Sequence, residues 1–236
     1  MLVSDKRLVA RAEIGDTWAH VARIRLSADE VDEAVDEVHS VMRRTGAVIA
    51  SWWLSERSTP ADLEERLLRR GLVIVEGDYL VDGMVLTGEP PPVPAGIEAR
   101  QVASIAELAA ATALSYEVFE MPPEQRRRLA DDEFARLGVT DLERVYGAWI
   151  DGQLAGTGRA YFTPVGASLA GGATAQWARG KGAYRALVRA RWDDAAARDT
   201  PALAVHAKDM SAPILARLGF EKVVQFRRLE DVASPT

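Results

Sequence analysis

Apolar positions along the first third of the chain switch between two periods. Residues 19–26 alternate, with Val21, Ile24 and Leu26 among polar neighbours, which predicts a half-buried strand. Val31, Val35, Val38 and Met42 then recur at helical spacing, one face of an amphipathic helix that Gly46 stops. Ser27-Ala28-Asp29-Glu30 reads as its capping box, with serine at the cap and glutamate three residues on. Residues 47–54 predict a buried strand, in which adjacent Trp52 and Trp53 would point to opposite faces. A short helix capped by Thr59, with Pro60 in its first position, is expected to end at Gly71. Strand patterns at 72–75 and 79–86 complete a β-α-β-α-β-β order.

The rest of the chain opens with a strand at 97–102 and a second capping box, Ser104-Ile105-Ala106-Glu107. Helical pattern runs to Val118 and again over 123–137. Strands at 144–150 and 153–162 flank Asp151-Gly152, a hairpin signal. A strand at 167–175, a helix at 182–198, a strand at 202–207, a short helix at 211–218 and strand material at 220–229 follow. An antiparallel meander that turns into β-α-β predicts an α/β (α+β) fold, with a mixed, largely antiparallel central sheet flanked by helices.

Between these halves lies Gly88-Glu89-Pro90-Pro91-Pro92-Val93-Pro94-Ala95-Gly96, which can build neither a ladder nor a helix. We therefore expect an N-terminal part at 1–87, a linker at 88–96 and a C-terminal domain at 97–236. A faint repeat supports two related lobes. Thr59-Pro60-Ala61-Asp62-Leu63 and Ser211-Ala212-Pro213-Ile214-Leu215 each open a proline-started helix after a strand, and each helix ends at glycine plus an apolar residue.

Composition narrows the chemistry. Hydrophobic residues at 48% suffice for a core, and zero cysteines exclude a disulfide frame, a thiol nucleophile and thiolate metal ligation. A net charge of −6 argues against binding a nucleic-acid backbone. No apolar run is long enough to span a bilayer, and the first residues lack a signal-peptide core, so a cytoplasmic location is expected. His20, His39 and His206 have no metal-ligand spacing, so no metal is expected.

Against that acidic background stands Arg179-Gly180-Lys181-Gly182-Ala183, between a strand and a helix. Its glycines let backbone N–H groups converge on an anion, and the helix N-terminus adds about half a positive charge. Arg185, Arg189 and Arg191 follow before the first acid, Asp193, which makes the loop a candidate diphosphate site. A dinucleotide fingerprint would need a small residue where Arg185 stands. A P-loop would need Ser or Thr where Gly182 stands, and Gly166-Ala167-Ser168-Leu169-Ala170 lacks the closing glycine of a serine-hydrolase elbow.

The segment 173–187, the Leu218-Gly219-Phe220 turn after the 211–217 helix, and the hairpin 146–156 together resemble the GNAT superfamily of N-acetyltransferases across residues 97–229. The N-terminal part looks like a degenerate half of the same kind without an Arg-Gly-x-Gly loop. The resemblance implies a splayed GNAT-like sheet with one active site, in the C-terminal part. Ala173, Thr174 and Ala175 would meet the pantetheine arm of acetyl-CoA. Arg179, Gly180, Lys181, Gly182, Ala183 and Tyr184 would hold the pyrophosphate, with Ser211 on the next helix. It further implies transfer of an acetyl (acyl) group to a primary amine of a small molecule or peptide by direct attack.

The general base would come from His206, Glu117 or Glu120, with Asp209 a weaker candidate. A histidine titrating near 6.5 suits a base at neutral pH, and the two glutamates lie where the family gathers its acceptor. Two positions depart from the family pattern: its final Gly/Ala is Tyr184, and the tyrosine that often protonates the leaving thiolate falls at Leu215. A non-catalytic acyl-CoA-binding sensor or interaction module is the alternative reading. The expected partners are acetyl-CoA and an amine acceptor, with no nucleic acid and no membrane; a homodimer stays open.

Overall fold

The computed structural model describes residues 2–12, 18–77, 79–123, 126 and 142–232. The helix expected at 123–137 lies outside the described residues except for Pro123 and Arg126. The chain divides into two compact units, Met1–Gly83 with Val223–Thr236, and Met84–Lys222. The proline-rich segment lies inside the second unit, and the last strand, expected in the C-terminal domain, joins the first unit from Val223 onward.

The first unit runs β1 (Leu2–Ser4), β2 (Val9–Arg11), β3 (Trp18–Ala22), α1 (Val31–Thr45), β4 (Ile49–Leu54), α2 (Leu63–Arg69), β5 (Val73–Ile74) and β6 (Leu80–Leu86), whose end crosses into the second unit. It recruits β12 (Glu221–Val232) from the end of the chain. β3 and β4 pair in parallel, and β4 pairs antiparallel with β12. β6 lies beside β12, with Gly83 against Val224 and Phe226.

The expected face of α1 is buried at Val31, Val35, Val38 and Met42, and Gly46 closes the helix in the left-handed conformation. The capping box is not what starts it. Ser27 bonds the Glu30 carboxylate, but Glu30 itself occupies the cap position without a side-chain bond to the helix. Thr59 likewise does not cap α2. Its hydroxyl donates to the Leu26 carbonyl at 2.9 Å, and its N–H donates to Ile24, so the helix begins only at Leu63.

The second unit holds β7 (Ile97–Gln101), α3 (Ile105–Val118), β8 (Glu143–Ile150), β9 (Gln153–Thr163), β10 (Gly166–Thr174), a 3₁₀ turn (Gln176–Ala178), α4 (Ala183–Ala196), β11 (Leu203–Ala207) and α5 (Ala212–Arg217). Its strands run in the order β11-β10-β9-β8-β7, with β10–β11 parallel and the pairs β10–β9, β9–β8 and β8–β7 antiparallel. Asp151 and Gly152, both at positive φ, make the β8–β9 turn. This is the mixed, largely antiparallel α+β sheet that the element order predicts.

Helix α3 covers one face of this sheet, where Leu108 and Ala111 meet Val145, and α4 covers the other, where Leu187 and Val188 meet Tyr146, Ala155 and Ala160. Here the serine half of the second capping box does form: Ser104 Oγ accepts from the Glu107 N–H at 3.2 Å, while the Glu107 carboxylate accepts from Ala103 N–H at 2.7 Å, one residue before the cap. Glu107 also takes two Arg100 bonds at 2.8 Å, which hold its carboxyl down to about 2. Ser104→Ala should therefore cost about 1 kcal/mol of stability, read as a shift of the urea midpoint at unchanged slope.

Candidate functional site

The cradle is built where β10 runs into α4. Ala178 and Lys181 N–H groups are used within the turn, bonding Ala175 and Ala178 carbonyls at 2.9 and 3.2 Å. Gly180 and Gly182 take φ of 77° and 97°, a region a side chain resists. Gly182 is the N-cap of α4, and its carbonyl receives the first helical bond, from Ala186 at 3.0 Å. The N–H groups of Ala183, Tyr184 and Arg185 therefore have no acceptor within the helix. Arg179 and Lys181 are exposed beside them, and the Arg185 Nε is buried without a partner among the described residues.

The other two cations expected at the loop are spent elsewhere. Arg189 pairs with Glu89 at 2.7 Å and Asp193 at 2.8 Å. Arg191 faces inward: its Nε donates to the Leu187 carbonyl at 2.9 Å and its Nη1 to Arg159 at 3.2 Å, and burial lowers its pKa. Helical spacing explains this, since Ala183, Leu187 and Arg191 fall on one stripe. That stripe lies in a trough left by Gly156 and Gly158. A Cβ added to Gly156 would come within 3.2 Å of Leu187, and one on Gly158 within 2.9 Å of Arg191 Nη1.

The open edge of the sheet begins upstream of where the family resemblance puts it. β10 and β11 pair only at Ala167↔Leu203, Ser168↔Ala204 and Leu169↔Val205. Beyond Leu169 the strands part, and β10 bulges away from β9 between Ala170 and Ala173. Ala170, Gly171 and Gly172 are exposed there. Ala175, by contrast, is satisfied on both backbone groups, donating to Ala155 and accepting from Ala178, each at 2.9 Å. Ala173 and Thr174 stay paired to β9. Past Leu169 β10 has no β11 partner on that edge, so the open stretch runs from Ala170 to Thr174.

Tyr184, bulky where the family pattern is small, lays its ring on Gly172, where a Cβ would fall 2.9 Å from Cε2. Burial raises its phenol pKa, with Arg191 opposing. Ser211 Oγ closes a turn by donating to the Lys208 carbonyl at 3.1 Å and accepting its N–H at 3.0 Å. Leu215 is 0% exposed in the core of the unit, so this helix offers no hydroxyl at that position.

His206 lies one residue past the last β10–β11 pair, exposed at the opening. Glu117 and Glu120 are also exposed, Glu120 at φ 50°. At 100° per residue Glu117 lies about 140° round α3 from buried Thr112, on the outer face. Its neighbour Tyr116 is turned toward the sheet, close enough to Arg159 to feel its charge. Tyr116, Glu143, Arg159 and Tyr161 were not singled out by the sequence reading; only the strand register brings them together.

In the first unit the parallel pair β3–β4 does not open in this way. Past the β3–β4 pairs, Leu26 and Thr59 bond N–H to carbonyl at 3.2 Å, Thr59 bonds Ile24 at 3.3 Å, and Arg25 bridges Thr59. Helix α1 also begins with Glu30, Asp32 and Glu33, acids that take up the positive end of its dipole and would repel a phosphate.

These features define a GNAT acetyltransferase fold. A search of solved structures returns a GCN5-related N-acetyltransferase from Kribbella flavida at TM-score 0.69 and 20% identity, covering 99% of this chain and 90% of that one. A functionally unknown conserved protein from Staphylococcus epidermidis matches at TM-score 0.71 and 10% identity, covering 98% and 93%. A tandem GNAT protein from the clavulanic acid biosynthesis pathway matches at TM-score 0.63 and 17% identity, covering 97% and 79%. At these identities the likeness is one of fold. No protein-family model matches the chain, and no curated protein matches it. Among the described residues no group of His, Asp and Glu is placed to hold a metal ion, and no helix is long and apolar enough to cross a membrane.

Proposed function

We propose that the protein is an acyl-CoA-dependent N-acyltransferase that moves an acetyl group from acetyl-CoA to a primary amine of a small molecule or peptide. The observation that carries this reading is the pairing of an anion cradle at 179–185 with a strand edge opened from Ala170 to Thr174, one above the other on β10 and the start of α4. The residues fit the ligand. The orphan N–H groups of Ala183, Tyr184 and Arg185 with Arg179 and Lys181 suit a diphosphate, and the exposed edge suits an amide-bearing arm. Bound acyl-CoA would supply the thioester.

At the opening, a β10 backbone N–H near the bulge would stabilise the developing oxyanion, and His206 would take the ammonium proton of the acceptor. The amine nitrogen then forms the C–N bond as the C–S bond breaks. With no cysteine in the chain, the acyl group has no enzyme thiol to pass through. Leu215 gives no proton, so the departing thiolate takes one from water; with a pKa near 8.5 it needs little help. The first unit fits a degenerate copy of the same half, closed by Leu26 and Thr59, which leaves one acyl-CoA site per chain.

The test is a thermal-shift series with acetyl-CoA and CoA, followed by thiol release across a panel of amines. Stabilisation by acetyl-CoA together with amine-dependent thiol release is expected. No stabilisation by either ligand would sink the proposal; stabilisation with no release for any amine would favour the acyl-CoA sensor, the reading Leu215 supports.

A further inference from the structure

The strand register places two rows of residues across one face of the second unit's sheet. Cross-strand pairs share a face, so Glu143, Tyr161, Ser168 and Ala204 form one row through their successive pairings. Val145, Arg159 and Ala170 form the next. His206, two residues on from Ala204, follows across the opening. This is the α3 face, because Val145 packs against Leu108 and Ala111.

The rows make a floor with walls. Ser168, Ala170 and Gly171 are small and exposed. With strands about 4.8 Å apart, the backbones of Arg159 and His206 stand roughly 10 Å apart across them, and more where the strands part. On one side stand Arg159, whose Cδ would lie 4.0 Å from a Cβ on Gly171, and Tyr161. Tyr116 hangs over them from α3. The far wall is His206.

Charge decides what this floor receives. Arg159 Nη1 donates to Glu143 Oε1 at 3.2 Å, which orients the guanidinium. Burial raises the pKa of the Tyr161 hydroxyl, Glu143 adding to the rise and Arg159 opposing it, each by its charge and by a hydrogen bond, so the three side chains form one network. Arg126 adds a second cation next to Tyr116, held by its Nε at 2.6 Å from the Met121 carbonyl. Two guanidiniums and two phenols against one glutamate form a donor-rich wall suited to a planar carboxylate.

We infer that the acceptor is a small amine that also carries a carboxylate, the carboxylate held by Arg159 with the hydroxyls of Tyr161 and Tyr116, and the amine directed across Ala170 toward His206. This deepens the N-acyltransferase reading and rests on it.

The experiment uses the full chain with saturating acetyl-CoA and matched acceptor pairs, each an amino acid or short peptide beside its carboxamide. Thiol release should favour the carboxylates by about 10-fold or more in kcat/KM, a difference of one good charge-assisted contact. Arg159→Gln should erase that preference, chiefly through KM, and leave the acetyl-CoA Kd within about twofold. Arg159→Lys, which keeps the charge but not the fork, should restore part of it, and Tyr161→Phe should lower it several-fold without touching the cradle. Equal use of acids and carboxamides by the wild-type protein would overturn the inference. So would an Arg159→Gln protein, shown by its melt to be folded, that slows both members of each pair alike. Failure of the wild-type chain to bind acetyl-CoA would instead overturn the acyltransferase reading, and this inference with it.

Discussion

Gly182→Val is expected to abolish acyl-CoA binding and to destabilise the second unit by about 3 kcal/mol. The backbone there sits at φ 97°, which costs a side-chain-bearing residue about 1–2 kcal/mol. A Cβ at that position would also lie 2.7 Å from Pro94 Cγ and 3.6 Å from Ile97 Cδ1. Overlap with a ring fixed to its own backbone adds about 1–3 kcal/mol. The Cβ direction thus points at the proline-rich segment, away from the anion's place, and binding is lost because the cradle has to shift. Displacing several N–H donors from a phosphate should weaken acetyl-CoA by about 100-fold or more. Gly180→Ala is the matched control. Its φ is 77°, but nothing lies within 4 Å of its Cβ, so it should keep binding at a cost of about 1 kcal/mol. Isothermal titration with acetyl-CoA beside a thermal melt separates the two. Equal affinity in Gly182→Val and wild type would show that the diphosphate is not held here.

In the first unit the largest effect should come from Trp52→Ala. Trp52 is 0% exposed, and it opposes Val21 on one neighbouring strand and Leu229 on the other. Emptying that volume should cost about 3–5 kcal/mol, a large share of the 5–15 kcal/mol that holds a typical domain together. Trp52 Nε1 is buried without a partner among the described residues, so Trp52→Phe should cost much less: it removes an unsatisfied donor along with the lost area. Trp53 faces the other way. Its ring meets Phe226 edge-on at 5.9 Å and lies 5.7 Å from the Arg228 guanidinium, so Trp53→Ala should cost only about 1 kcal/mol. Urea denaturation of the three variants ranks them, and a Trp53→Ala protein weaker than Trp52→Ala would refute this assignment of faces.

The pair of tryptophans shows what the sequence could and could not carry. Alternation put them on opposite faces, yet only the helix α1 above Trp52 decides which is inside. The loop at 179–184 was legible because glycines, cations and the strand–helix order all act within a few residues. The same nearness explains why Arg189 and Arg191 were misplaced: linear closeness to a loop says nothing about where a helix turns its side chains. Thr59 is a cap by composition, but its donor and acceptor are claimed by Ile24 and Leu26, more than thirty residues earlier. Glu117 is legible as a candidate base because it is acidic, but it is the neighbouring Tyr116 that turns toward the sheet. The cluster of Glu143, Arg159 and Tyr161 was invisible for a similar reason, since it exists only through cross-strand register. The late strand's membership in the first unit is a long-range pairing of β12 with β4, which no local pattern records.

A helix resting in a trough of glycines can be levered. Arg191 sits eight residues along α4 from Ala183, about 12 Å at 1.5 Å per residue, and it bears directly on Gly158. A methyl group on Gly158 would meet the tip of that side chain, 2.9 Å from Nη1, so the guanidinium would have to slide before the helix did. Whatever part of that push passed along α4 would reach the proposed cradle, so a strand residue outside the loop would help to set its affinity.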